Sequence, residues 1–387
     1  MNKMKREMLN RFYGKKLKQA RTIRNLTISD LSKKINVTHQ SISKYENDKM
    51  TPSLDVLKEI SNVLNFEISF FYTSPAPESF YENTFIFRKK AGVAKKYKDQ
   101  MIEKMALILS FEQNLESYVK LPKFNRDLVL KRKDETVYEP LSDEKIEQVS
   151  FDVRRSLQLG MGPIDNITRL CEKLGIIVVF SDLGKTTIDG CSTFYEDRPY
   201  IVLNKQGFSS VRMRFTLAHE LGHILLHSGL DKKHINSTVN SKQIEKEANL
   251  FASFLLMPEE SFVQDINGLG LDYLLMLKKH WKVSIQAMVF RAEYLGVFTE
   301  DYALYLRQQI SRKKWRKSEP FDDEIIFEEP VLINQALEFI QNNMKVSLDE
   351  ITFKTGLSEK EILTNFNYGI NHIEKKDLKQ SGLRRIK

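Results

Sequence analysis

The sequence predicts an α+β protein that is mostly helical. Short amphipathic helices dominate residues 12–72 and recur from about residue 270 onward. The β-branched run GIIVVFSD and the hairpin pattern CSTFYEDRPYIVLN predict a few strands over residues 175–204. Two apolar helices follow these strands, and a small sheet followed by helices is the pattern of an α+β unit.

The composition is that of a soluble protein with buried cores. The 387 residues are 41% hydrophobic and 29% charged, which fits two or three domains. No apolar run approaches the roughly 18–20 residues of a membrane span, and no apolar run follows the basic start MNKMKREMLNRF, so we expect neither a membrane segment nor a secretory signal. Cys171 and Cys191 cannot form a disulfide framework. We expect two reduced thiols in a cytoplasmic protein.

The positive charge is concentrated at the start of the chain. Residues 1–72 contain 14 Lys and Arg against 7 Asp and Glu, a balance of +7, and the whole chain carries +9. A basic small domain on a nearly neutral body indicates a polyanionic partner for that domain. A merely solvated surface remains the alternative on charge alone.

Changes in pattern divide the chain into four segments. The second segment starts with the Pro/Ser-rich stretch TSPAPES and includes a long amphipathic helix over residues 94–119. Stretches 278–296 and 345–363 have a weak helix-turn-helix pattern and are interpreted as packing elements. The predicted segments are a helical domain at 10–72, a linker and long helix at 73–144, a domain with the sheet at 145–265, and a helical C-terminal region at 266–387.

The helix RFTLAHELGHILLH contains the pattern H-E-x-x-H. Residues four apart lie on one face of a helix, so His219 and His223 can bind the same metal ion. Glu220 stands beside the first histidine, where it can act as the general base on a metal-bound water. An ordinary buried helix is the alternative, but two histidines and a glutamate are costly to bury without a use. We therefore predict a zinc site.

The third ligand is expected from the following helix, QIEKEANLFASFLLM. His227 lies about 12 Å along the axis from His219, too far to share one ion, and is interpreted as a helix-end residue. Glu245 and Asn249 are four residues apart on one face of the second helix. Glu247 points about 200° away from Glu245, but the residues alone leave it as an alternative ligand. We expect one zinc ion per chain, with manganese as the alternative metal.

These two helices and the strands before them resemble the ImmA/IrrE family of metallopeptidases. The segments RFTLAHELGH, EKEANLFASFLLMP, GPIDNITRLCEKLGIIVV and RPYIVLNKQ carry the resemblance, which covers residues 145–300. It implies a zincin-like domain with His219, His223 and Glu245 as ligands and Glu220 as base. It also implies a repressor or an antitoxin as the substrate. An exposed edge of the strand pair 191–204 could align an extended peptide.

The segment TISDLSKKINVTHQSISKYENDKMTPSLDVLKEISNVL resembles the XRE family of helix-turn-helix repressors over residues 14–70. The resemblance implies binding to double-stranded DNA, with the start of the second helix in the major groove. Gln40 could pair with adenine, and Lys44, with Arg21 or Lys49 nearby, could contact phosphates. A domain for protein contact is the alternative, and homodimerisation is left open. The candidate DNA-contact residues are Thr38, His39, Gln40, Ser41 and Lys44.

Three functions from different classes fit these patterns. The leading hypothesis is a zinc-dependent, site-specific endopeptidase that acts on a regulatory protein and carries its own DNA-binding domain. The second is a DNA-binding transcriptional regulator whose peptidase-like domain is a non-catalytic sensor or partner-binding module. The third is an antitoxin-like binding protein that has lost catalysis. The complete H-E-x-x-H pattern together with Glu245 favours the first, because a degenerate site would tolerate losing Glu220.

Overall fold

The computed structural model describes residues 11–89, 94–131, 137–181, 188–235, 237–366 and 384–385. It shows the predicted α+β fold, mostly helical, with one sheet of four strands and a second sheet of two short strands. Within these residues no helix combines the length and apolarity needed to cross a membrane.

The elements are numbered in chain order. The strands are β1 (Phe85–Lys89), β2 (Val119–Lys120), β3 (Ile177–Ser181), β4 (Ile188–Tyr195), β5 (Arg198–Asn204) and β6 (Arg384–Arg385). The helices are α1 (Gly14–Ile23), α2 (Ile28–Lys34), α3 (His39–Glu46), α4 (Leu54–Leu64), α5 (Glu78–Tyr81), α6 (Lys95–Glu116), α7 (Asp143–Ser156), α8 (Ile167–Lys173), α9 (Ser210–His227), α10 (Lys232–Ile235), α11 (Thr238–Leu256), α12 (Glu259–Asp265), α13 (Leu271–Trp281), α14 (Ile285–Tyr294), α15 (Glu300–Arg312), α16 (Leu332–Met344), α17 (Leu348–Thr355) and α18 (Glu359–Phe366).

The N-terminal domain begins its helices at the residues that the sequence indicates. A capping box begins α2: the Asp30 amide donates to Thr27 Oγ1 at 3.0 Å, and the Thr27 amide donates to Asp30 Oδ2 at 2.8 Å. Thr38 and Ser53 cap α3 and α4 in the same way, by accepting from main-chain amides. Asn36 takes a left-handed conformation in the turn between α2 and α3. These local bonds fix where α3, the candidate recognition helix, begins.

The four-stranded sheet has the order β1-β4-β5-β3. The predicted hairpin is present, with β4 and β5 antiparallel about a turn at Glu196 and Asp197, and β3 is parallel to β5. Strand β1 pairs antiparallel with β4. It lies in the segment that the sequence analysis assigned to a linker and a helix, so this strand was not predicted. The outer edge of β4 is therefore covered, contrary to the expected exposed edge.

Two apolar cores lie on opposite faces of the sheet. One face, which includes Cys191 and Val202, packs into a core shared with α1–α4, α6 and α16–α18. The other face, which includes Ile201 and Leu203, packs into a core shared with α7–α9 and α11–α15. The N-terminal helices thus share a continuous core with the sheet.

Helix α6 joins the N-terminal domain to the sheet. It was predicted over residues 94–119 and begins and ends close to those positions. At its start, Gln100 Nε2 donates to the Ile23 carbonyl at 2.8 Å. At its end, Arg198 of β5 forms ion pairs with Glu112 at 3.0 Å and with Glu116 at 2.5 Å. Polar contacts with both neighbours therefore fix this helix between them.

Candidate active site

The two histidines of the H-E-x-x-H pattern point at one place. Helix α9 is buried over most of its length because Leu217, Leu221 and its other apolar residues face the second core. His219 and His223 are both fully buried, and their Nε2 atoms lie 3.0 Å apart. Two buried nitrogen ligand atoms thus converge from successive turns of one helix.

Helix α11 brings the third donor. Gly222 of α9 lets this helix approach closely, because a Cβ atom there would lie 2.9 Å from Cδ1 of Phe251. The Glu245 carboxylate oxygens lie 3.4 Å from Nε2 of His219 and 3.5 Å from Nε2 of His223. A tetrahedral zinc ion with ligands at about 2.0–2.1 Å separates its donors by about 3.4 Å. The spacing and chemistry of the three donors fit such an ion.

The Glu245 carboxylate is held in its charged form. Burial alone raises its pKa, but the hydrogen bonds and charges of His219 and His223 outweigh burial and hold the pKa of Glu245 well below its usual range. Its side chain is 41% exposed, whereas both histidines are enclosed. The site is therefore open to solvent on the Glu245 side.

A second layer of side chains orients the two histidines. Nδ1 of His219 lies 2.9 Å from Oδ1 of Asn249, and Nδ1 of His223 lies 3.0 Å from Nδ1 of His227. Nε2 of His227 in turn lies 2.9 Å from Oε2 of Glu247. Contacts to the second ring nitrogen fix the tautomer and orientation of a ligand histidine. Glu247, the alternative third ligand, therefore supports His227 and lies outside the group of three donors. His227 was expected only as a helix-end residue, although its spacing of four from His223 was a signal of this contact.

Glu247 is anchored on its other side by residues that precede α7. Tyr138 Oη and the Leu141 amide donate to Glu247 Oε1 at 2.8 and 3.0 Å. Burial raises the pKa of Glu247, but these bonds and the one to His227 outweigh it and lower the pKa below its usual value. A buried carboxylate with several donors is fixed in position, so it can hold His227 in place.

Glu220 faces the sheet. It is fully buried on α9, and Ser192 of β4 donates a hydrogen bond to its Oε2 at 2.7 Å. Gly190, two residues earlier on the same strand, leaves room for this carboxylate, because a Cβ atom there would lie 3.2 Å from Glu220 Oε1. Strand β4 therefore holds the carboxylate of the candidate base, which directly follows His219 on α9.

A cleft of about 950 Å³ opens beside Glu245 and Asn249. Its two acidic groups away from the metal donors, Glu319 and Asp322, are both bonded to the buried Lys278 Nζ, at 3.0 and 2.6 Å. Aromatic and basic side chains line much of the rest of its wall, beside small, polar and aliphatic ones. These residues include Phe215, Phe290, Trp315, Arg212, Lys242, Lys246, Arg316 and Lys317.

The candidate DNA-contact residues lie together at the start of α3. Thr38, His39, Gln40 and Lys44 are exposed, and Ser41 is half-buried within hydrogen-bond distance of Thr38 Oγ1. Arg21 is placed differently from the sequence-based expectation. Its guanidinium binds the Glu46 carboxylate at 2.5 and 2.9 Å and donates to the Leu26 carbonyl, so it holds the domain together.

Family comparisons match both halves of this arrangement. Residues 171–293 match a peptidase family described as the IrrE N-terminal-like domain, which is the class that the H-E-x-x-H helix and the sheet indicate. Residues 17–71 match a family described as Helix-turn-helix. The chain thus joins an XRE-type helix-turn-helix domain to an IrrE-like domain of a metallopeptidase family, as predicted. Comparison with curated proteins returned no match.

Proposed function

We propose that this chain is a zinc-dependent endopeptidase that cuts a regulatory protein and binds DNA through its N-terminal domain. One observation carries the proposal: His219, His223 and Glu245 offer three donors at tetrahedral spacing, and Glu220, the residue after His219, is held by Ser192. The match to the IrrE N-terminal-like domain supports a peptidase-like role for this region.

The residues present would divide the reaction between them. A zinc ion held by the three donors supplies Lewis acidity toward a water molecule and the scissile carbonyl. Glu220 accepts the proton of the attacking water and passes it to the leaving amine. Ser192 keeps the Glu220 carboxylate in place through its hydrogen bond. The aromatic and basic wall of the cleft receives side chains of the peptide beside the bond to be cut.

The DNA-binding domain narrows the class of substrate. A peptidase that is bound at an operator meets regulators bound nearby at raised local concentration. We therefore propose a helix-turn-helix repressor or an antitoxin as substrate, cut in an exposed linker or a fraying helix, where the chain can become extended.

Incubation of the zinc-loaded protein with repressors encoded nearby, followed by mapping of the fragments by mass, tests this proposal. We expect one or few discrete cuts with the wild type and none with Glu220→Gln, while both bind one zinc ion per chain and the same DNA. Manganese replaces zinc in a parallel series. Degradation of unfolded casein without a discrete cut in any repressor would overturn the proposal.

A second candidate function is a transcriptional regulator whose IrrE-like domain binds a partner without cutting it. The covered edge of β4 favours it, because a strand of the chain itself pairs with the strand whose Ser192 holds Glu220. In that case wild type and Glu220→Gln would bind the partner equally, and neither would cut it.

A further inference from the structure

Strand β1 covers the edge of β4 that a peptide would use to reach the candidate base. Strand β5 covers the other edge, so only the outer edge can accept a further extended segment. The antiparallel register places Ile86 opposite Ser192, whose hydroxyl binds Glu220. A substrate strand pairing with β4 would have to take the position that β1 holds.

Ile86 lies on the same side of the sheet as the metal donors. Side chains alternate along a strand, so Ile86 shares a face with Ser192, whereas Phe87 and Cys191 share the opposite face. Ile86 is only 7% exposed and lines, with Ser192 and His223, a cavity of about 60 Å³. An apolar side chain of the chain itself therefore lies beside a candidate ligand.

We propose that the outer edge of β4 binds an extended segment of the substrate and that β1 is its intramolecular occupant, which the substrate must displace. The inference rests on the proposed peptidase function. Main-chain hydrogen bonds along β4 supply most of the recognition, and an apolar side chain at the position of Ile86 supplies selectivity.

The strength of β1 pairing then sets the activity. A segment tethered to its own site competes at an effective concentration on the order of millimolar, so a weakly binding peptide cannot displace it. The strand is short, and its register with β4 is irregular between Arg88 and Lys89. Local opening of such an edge strand costs less than global unfolding. A substrate that binds tightly therefore pairs with β4 while β1 is detached. Proteins that bind weakly cannot compete with β1 and are left uncut.

A redox-reversible lock can test whether β1 must leave. Phe87 faces Cys191 directly across the two strands, so Phe87→Cys can form a disulfide with it, in a Cys171→Ser background that removes the other cysteine. The matched control is Val202→Cys, because Val202 faces Cys191 from β5 and its disulfide would leave β1 free. Burial raises the pKa of the Cys191 thiol well above its usual value, so oxidation with diamide needs long incubation at alkaline pH.

Binding of a fluorescein-labelled peptide, NTFIFRKK, to the full-length, zinc-loaded chain is measured by anisotropy in a Glu220→Gln background, which prevents cutting. Ile86→Asp should free the outer edge of β4 and so tighten binding of the peptide at least tenfold, compared with the protein in which Ile86 is unchanged. When Phe87→Cys is added to Ile86→Asp, oxidation should abolish the gain in peptide binding and reduction should restore it. When Val202→Cys is added instead, the oxidised and reduced proteins should bind the peptide equally. Equal binding by oxidised and reduced Phe87→Cys, or no gain from Ile86→Asp, would falsify the proposal.

Cleavage of a repressor by the same variants with Glu220 intact separates this inference from the proposed function. If the reduced Phe87→Cys protein binds the peptide more tightly than the oxidised one but no variant cuts any repressor, the peptidase proposal fails. The proposal that β1 occupies a peptide-binding edge of β4 then still stands. If the locked form cuts a repressor as fast as the reduced form, the peptidase proposal stands and the role of β1 is refuted.

Discussion

Glu247 holds His227 in place, with 2.9 Å between Oε2 of the carboxylate and Nε2 of the imidazole. The other ring nitrogen of His227 lies 3.0 Å from Nδ1 of His223, so one fully buried chain of contacts runs from a carboxylate through one imidazole to a candidate ligand. A carboxylate usually contacts the ligand histidine itself. Here a second histidine stands between them.

We expect metal affinity to depend on this chain of contacts. Glu245→Ala removes a donor and should lower zinc affinity by orders of magnitude. Glu247→Gln removes only the charge that orients His227, and loss of such an outer contact typically costs 10–100-fold. Competition against a chelator with a known zinc affinity measures both. The exposed Glu260→Gln is the matched control. Unchanged affinity in Glu247→Gln would mean that His223 needs no support from this side.

Ser192→Ala should slow catalysis without loss of metal. The hydroxyl donates to the Glu220 carboxylate at 2.7 Å, and hydrogen bonds to charged groups typically contribute about 1.5–3 kcal/mol. We expect kcat/KM to fall about tenfold on a repressor that the wild type cuts, while zinc content stays at one ion per chain. Ser192→Thr keeps the hydroxyl and should restore part of the rate. A variant with wild-type kcat/KM would show that Glu220 is positioned by other contacts.

The full-length chain should bind duplex DNA with an affinity that falls steeply as salt rises, because phosphate contacts release counterions. The full chain is the right sample, since Phe70 and Phe71 of the N-terminal domain are fully buried in a core shared with α6. Gln40→Ala should change sequence preference more than overall affinity, and Lys44→Ala should lower affinity for all sequences. Electrophoretic mobility shifts over a salt series test both. Salt-independent binding would indicate a protein-contact domain instead.

Lys16 should destabilise the fold at neutral and acid pH. Its side chain is fully buried, with Nζ 3.8 Å from the centre of the Phe70 ring, and burial lowers its pKa from 10.5 to about 7, against the opposing charge of Glu103. The unfolded chain binds the proton more tightly than the folded chain. The penalty is therefore complete below about pH 7 and disappears as the pH rises toward 10.5.

Lys16→Met removes this group and should raise the free energy of unfolding at pH 6 by up to about 5 kcal/mol, less the loss of the buried hydrogen bond from Lys16 Nζ to Gln19 Oε1. The gain should shrink by pH 9.5. Urea denaturation of both proteins at the two pH values measures the difference, and the exposed Lys18→Met serves as a control. A gain of equal size at both values would contradict the pH dependence.

The sequence could predict those parts of the site that depend on local helix geometry. His219 and His223 lie one turn apart, and their convergence follows from the period of the helix. To predict the position of Glu245, it was enough to expect α11 to pack against α9 with this residue facing the histidines, and Gly222 allows that close packing. The helix caps at Thr27 and Thr38 are equally predictable from the sequence, because the amide that each side chain accepts from is only three residues away.

The remaining parts depend on contacts between distant segments. Strand β1 pairs with residues about a hundred positions later, and its side chains show no alternation between apolar and polar, since both of its faces are partly covered. Glu247 was left open as an alternative ligand, and it lies outside the group of three donors, bonded to His227 instead. Its role in holding His227 depends on the hydrogen bonds from Tyr138 and Leu141. These residues lie more than a hundred positions earlier in the chain, so the periodicity of α11 could not predict the contacts.

The N-terminal domain is joined firmly to the rest of the chain. Arg24, after α1, forms an ion pair with Glu361 of α18 at 2.7 Å, and the Glu67 amide donates to the Gly356 carbonyl at 3.1 Å. A duplex turns once in about 10.5 base pairs. A repressor bound beside this protein would therefore present its exposed segment to the cleft only at certain spacings between the two operators. The rate of cutting on DNA should rise and fall with the period of the double helix as base pairs are inserted between the sites.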